Sequence, residues 1–209
     1  MRHFKTLALT LLMALSFIGA FGSGVSAQQQ QARYAFVIGN DDYEGAPLAS
    51  AANDAGLIAE TLKAAGFDVA GARNLDAATM RAAFQEFLQK VQAAGPGTVA
   101  AVYISGYGVQ MEGDNYLIPP GASVLRDTDI PLNAVRIFDM TRALGALQGN
   151  TTIITLDLAY QGPFAREGQP IAPGLSMMDP DQGMLIAINT QPGAMAAMRS
   201  RMASTFGRP

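Results

Sequence analysis

The apolar, β-branched run Val99-Ala-Ala-Val-Tyr-Ile104, stopped by Ser105-Gly106-Tyr107-Gly108, constrains the fold of this chain more than any other stretch. A run of this kind, with no charge and no alternating polar partner, reads as a strand buried on both faces, which implies a parallel sheet covered by helices. The glycines on either side of Tyr107 permit a tight backbone path and predict a large side chain displayed at the strand's carboxyl end. Open α/β sheets bind their ligands at that edge. Tyr34 to Gly39 reads as a further buried strand, Phe67-Asp68-Val69 as a short one and Thr151 to Leu156 as a fourth strand.

Helical spacing fills the intervals. Ser50 stands as an N-cap before Ala55, Ile58, Leu62 and Ala65, with Gly66 as the stop. Asp76 caps a second helix that carries Met80, Phe84, Phe87 or Leu88, and Val91 on one face, ended by Gly95-Pro96-Gly97. Asp139 caps a third, Met140 to Leu147, closed by Gly149-Asn150, while Asp127 to Val135 shows no periodicity and reads as a loop. Strand, helix, strand, helix, strand in this order predicts an α/β fold: a doubly wound, mostly parallel sheet flanked by helices and joined by right-handed crossovers.

The amino-terminal segment reads differently. Arg2, His3 and Lys5 form a basic start, Leu7 to Phe21 an apolar stretch, and Val25-Ser26-Ala27 a small-residue cleavage site, together a secretory signal peptide over residues 1–27. The apolar stretch is too short, and too closely followed by Gly, Ser and Gln, for a retained membrane span. An exported protein is expected, periplasmic or secreted, with a linker over 28–32, one domain over 33–198 and a tail over 199–209. Cleavage would remove Arg2, Lys5 and the single histidine, His3, and no acid, from a chain already at −3. No basic patch is present, which argues against nucleic-acid binding. With no cysteine there is no disulfide framework, so packing must supply the stability.

Val99 to Pro119 resembles the histidine segment of the caspase-like peptidases, in which a buried strand runs into Ser-Gly-His-Gly. In the bacterial p20-domain, metacaspase-like branch a small antiparallel hairpin and Asn-Tyr-Leu-Ile-Pro follow, as Asn115 to Pro119 do here. Ile38-Gly39-Asn40 with Tyr43, Pro47-Leu48, Asn53-Asp54-Ala55 and Gly66-Phe67-Asp68-Val69 also match the family, in order. So do Leu156-Asp157 with Pro163-Phe164, Gly174-Leu175, and the turn ending Pro192-Gly193. The resemblance covers about Arg33 to Met198 and stops short of the family's later Asn-Ser-Pro-Phe-Thr segment. It implies a caspase-like fold. It also implies that Tyr107 stands at the position of the catalytic histidine and Ala159 at that of the cysteine nucleophile.

A cysteine peptidase needs a thiolate and an imidazole that takes and returns the proton. Ala159 has no nucleophilic atom, and a phenol with an ordinary pKa of about 10 is a poor base near neutral pH. The lysines beyond the leader, Lys63 and Lys90, fall on helices away from the carboxyl edge, which disfavours a Ser-Lys dyad. Asp41, Asp42, Asp54 and Asp157 leave a carboxylate pair open, against the plainer reading of solvated loop acids and caps. By resemblance Asp54 and Asp157 match acids that line a pocket for Lys or Arg in metacaspase-like members, beside Ser105, Gly106 and Gly108. A purely structural role for both acids stays open, since Asp54 near a helix start is favoured by the dipole.

Gly106-Tyr107-Gly108 is not a dinucleotide fingerprint, because Met111 takes the third glycine position. Six of the eleven methionines fall between Met177 and Met202. Without His or Cys partners they read as adaptable packing and not as a soft-metal site. No metal or cofactor is expected. The readings that remain are a pseudopeptidase that binds a peptide or protein, an active relative included; a hydrolase working with a partner or through carboxylates; and a structural envelope protein.

Overall fold

The computed structural model describes residues 31–196. The leader, most of the linker and the tail fall outside them. The chain runs β1 (Arg33–Gly39), α1 (Ala51–Ala64), β2 (Asp68–Arg73), α2 (Ala77–Ala94) and β3 (Val99–Ser105). It then enters the hairpin β4 (Tyr107–Met111) and β5 (Asp114–Ile118), a short helix α3 (Ile130–Asn133), β6 (Val135–Arg136), α4 (Ile137–Gly145), β7 (Thr151–Asp157) and β8 (Met184–Ile188).

Five strands form one sheet in the order β2-β1-β3-β7-β8, with every pair parallel. This is the expected doubly wound sheet. Strand alternation sorts the core into two layers. Phe36, Ile38, Val102, Ile104, Ile154 and Leu156 face α2, through Met80, Phe84, Phe87 and Val91, and α4, through Met140 and Leu144. Ala35, Val37, Ala101 and Tyr103 face α1, through Ala55, Ile58 and Leu62. Small residues on that second face let α1 come close: a Cβ on Gly39 would lie 2.5 Å from the Ala51 carbonyl oxygen. Among the described residues coverage on this side stops at β3. Ile153 and Leu185, in register with Ala101 across β7 and β8, are 39% and 57% exposed.

Asp76 caps α2 as expected, its Oδ1 accepting from the Thr79 N–H at 2.7 Å. Ser50 makes no side-chain cap bond, because its own backbone is already helical. Asp139 lies inside the first turn of α4, which begins two residues earlier, at Ile137. The stretch read as a loop holds α3 and β6. The two residues of β6 pair with β5 to complete a three-stranded antiparallel sheet, β4-β5-β6. Elements this short leave no periodic trace. The β4–β5 turn, Glu112-Gly113, has φ of 52° and 87°, the both-positive geometry whose twist matches a two-residue hairpin. Among the described residues no helix is long and apolar enough to cross a membrane.

Candidate functional site

The carboxyl ends of β1, β3, β7 and β8 meet at one edge. The register pairs Ser105 with Asp157 across β3 and β7, and Asn189 follows β8 directly beside them. Four donors converge on the Asp157 carboxylate. Its Oδ2 accepts from the Ser105 hydroxyl at 3.1 Å and the Tyr103 hydroxyl at 3.3 Å. Its Oδ1 accepts from the Tyr160 hydroxyl at 2.6 Å and from Asn189 Nδ2 at 2.7 Å. Burial first, and then the neighbouring Asp157 carboxylate, hold the Tyr103 and Tyr160 phenols above the ordinary tyrosine value. Asp54, half-buried in the first turn of α1, adds its charge to both. Asp54 and Asp157 therefore act on one set of phenols, and Asp157 is served by the chain's own donors.

Tyr107 is 2% exposed and is not displayed. The chain does not turn away after Ser105 but passes through Gly106 into β4, carrying Tyr107 into a second apolar cluster. Tyr43, from the β1–α1 connection, and Phe164, from the β7–β8 connection, close over the ring edge-to-face at centroid distances of 4.7 and 5.4 Å. The Tyr107 N–H donates to the Tyr43 hydroxyl at 3.1 Å, and that hydroxyl donates to the Ile118 carbonyl at 2.8 Å. Burial raises the pKa of Tyr107, so its phenol is neutral near neutral pH and accepts no proton there.

Gly106 and Gly108 serve close approach. A Cβ on Gly106 would lie 2.7 Å from the Tyr43 hydroxyl, and one on Gly108 would lie 2.8 Å from Leu158 Cβ. Ala159 is fully buried, in the main core rather than in the Tyr107 cluster. Its N–H donates to Asn189 Oδ1 at 3.1 Å, so Asn189 ties Ala159 to Asp157.

Tyr103, Tyr160 and Asn189 were not anticipated from the sequence. Signals for them exist: Tyr103 shares a strand face with Ser105, Tyr160 lies three residues after Asp157, and Asn189 ends the strand beside it. As a set, these groups make a carboxylate that shares its lone pairs among four donors of the chain itself. Among the described residues no three His, Cys, Asp or Glu side chains are placed to hold a metal ion.

None of the curated proteins compared with the chain matches it. Among solved structures it is similar to a structural-genomics protein of Geobacter sulfurreducens, at 16% identity over 63% of this chain and 52% of that one, with a TM-score of 0.49. It is also similar to the Drosophila initiator caspase Dronc, at 13% identity over 75% and 54%, with a TM-score of 0.48. The chain thus spans about half the length of each. The caspase-domain family model, peptidase C14, matches residues 32–207, from the start of the first strand past the last described residue, and on that match the chain belongs to the caspase domain family.

Proposed function

We propose that this chain is an exported, non-catalytic member of its family, a pseudopeptidase of the bacterial p20-domain branch that binds a peptide or protein partner or modulates an active relative. One observation carries the reading: the chain has no cysteine, so it cannot supply the thiolate on which the family's peptide hydrolysis depends. The motif register adds that Tyr107 and Ala159 take the histidine and cysteine positions, and both side chains are buried. The carboxyl edge around Asp54 and Asp157 is the proposed recognition surface; Ser105, Gly106 and Gly108, expected beside them, are buried and offer a ligand no contact without a rearrangement of their cover. Its carboxylates suit a basic side chain, provided that the ligand displaces donors already bound to Asp157.

The test has two arms. The purified chain is offered a panel of fluorogenic peptides ending in Asp, Arg, Lys or Leu, and intact mass is measured on protein recovered from the exported fraction of cells expressing residues 1–209. The proposal expects no turnover above buffer and a mass lacking the leader. Turnover of any peptide that tracks the protein through purification refutes the non-catalytic reading, and full-length protein confined to the cytoplasm refutes export.

A further inference from the structure

β8 is the outermost strand of the parallel sheet, and among the described residues nothing pairs with its outer edge. The phase of the ladder identifies the free groups. The Thr152 N–H donates to the Gly183 carbonyl at 2.9 Å and the Asn189 N–H to the Leu156 carbonyl at 3.1 Å, so the odd-numbered residues here turn their backbone toward β7. Alternation then points the backbone of Met184, Ile186 and Ile188 outward, away from the sheet. The Met184 N–H bonds back to the Asp181 carbonyl at 3.0 Å, while Ile186 and Ile188 keep both their groups free. Natural edges are blunted by charge, proline or a bulge. Met184-Leu-Ile-Ala-Ile188 has none of these, and its register with β7 is unbroken. The α1-side face beside it is open as well, with Ile153 and Leu185 exposed in a kind of sheet that is ordinarily covered on both faces.

We infer that this edge is an interface between two copies of the chain, β8 pairing antiparallel with β8 of the second copy about a two-fold axis at Ile186. A two-fold interface has to be complementary to itself, and this strand is. Centred on Ile186, the pairing overlaps the whole of β8. Ile186 exchanges both its bonds with Ile186 of the second copy, and Ile188 donates to the carbonyl of Met184, once in each direction. On the open face Leu185 then stands opposite Ala187 of the second copy, a large side chain against a small one, and Ile153 borders the pair. Charge selects the same direction. Antiparallel pairing carries Asp179 and Asp181, which lead into β8, toward Asn189, Thr190 and Gln191 of the second copy, whereas parallel pairing would set acid against acid. A foreign strand would find the same backbone groups, but nothing on the edge selects its side chains. This interface does not use the Asp54 and Asp157 carboxylates, so the inference stands or falls separately from the pseudopeptidase reading.

The experiment uses protein purified from cells expressing residues 1–209. Sedimentation velocity should show a concentration-dependent dimer at or below a concentration on the order of 100 µM. Leu185→Lys places a cation at an exposed position in the middle of the edge and should weaken the dimer about tenfold or more, with the circular dichroism of the wild type retained. Because the chain has no native cysteine, disulfide formation reads the register. Leu185→Cys and Ala187→Cys proteins, mixed and mildly oxidised, should form a disulfide-linked pair faster than either alone, and Leu57→Cys, exposed on α1, should not. A monomer at that concentration overturns the inference, and means that the edge is left free or is filled by another segment of the chain. A dimer indifferent to Leu185→Lys, or mixed cysteine variants that couple no faster than each alone or than Leu57→Cys, overturns it as well.

Discussion

Replacing Asp157 with asparagine keeps the side chain's shape and removes its charge, and the four donors around it set the cost. The amide nitrogen belongs on the side of Tyr103 and Ser105, whose hydroxyls can rotate to accept, because the Asn189 amide nitrogen opposite cannot. In that orientation every bond survives in neutral form. What is lost is the difference between bonds to a charged group, about 1.5–3 kcal/mol, and neutral ones, about 0.5–1.5 kcal/mol, discounted because the site is half-open to water. Asp157→Asn should therefore cost about 1–2 kcal/mol. Asp157→Ala leaves four neutral donors without their acceptor, some of them reachable by water, and should cost about 2–4 kcal/mol. Urea unfolding followed by circular dichroism measures both, since the chain has no tryptophan, with an unchanged slope as the check on two-state behaviour. If the two variants lie within about 0.5 kcal/mol of each other or of the wild type, the carboxylate is an ordinary solvated rim group and the reasoning fails.

Three further outcomes follow from the same edge. Tyr107→Ala should cost about 3–5 kcal/mol, whereas Tyr107→Phe should cost under about 1 kcal/mol, because only the ring and the backbone N–H are engaged; denaturant titration of both distinguishes a core ring from a working phenol. Gly108→Ala should destabilise by about 1–3 kcal/mol, since its Cβ would meet Leu158, while Gly71→Ala, with no atom nearer than 3.9 Å, should melt close to the wild type. Tyr43, Tyr103, Tyr107, Tyr116 and Tyr160 are all held above the ordinary phenol value, chiefly by burial. Their neutral form is the one the fold favours, so this stability is complete below about pH 10 and falls as the pH rises further; absorbance at 295 nm should show native tyrosinate formation delayed relative to protein in urea.

Long periodic elements were legible in the sequence and short or convergent ones were not. The buried strands at Tyr34 and Val99 declared themselves by continuous apolar character, and α2 by Met80, Phe84, Phe87 and Val91, which lie buried as the spacing predicted. β6 was missed because two residues carry no period. The expectation that Tyr107 is displayed failed for a different reason. Local sequence describes the strand and its glycines, but the ring's cover comes from Tyr43 and Phe164, 64 residues before it in one case and 57 after it in the other. Asp157 shows the same limit, since its donors come from β3, from the segment after β7 and from the end of β8.

The central claim, that the edge this family uses for catalysis is here filled by the chain's own side chains, is tested most directly by Ala159→Cys. The chain contains no other thiol, so every labelling event reports that position. Ala159 is fully buried with its backbone bonded to Asn189 and Ala196, so the variant, once its fold is checked by circular dichroism, should react with iodoacetamide in urea but be strongly protected in the native state. Rapid native labelling near neutral pH, with the thiolate behaviour of an activated cysteine, would mean an open and reactive cleft and would contradict the account.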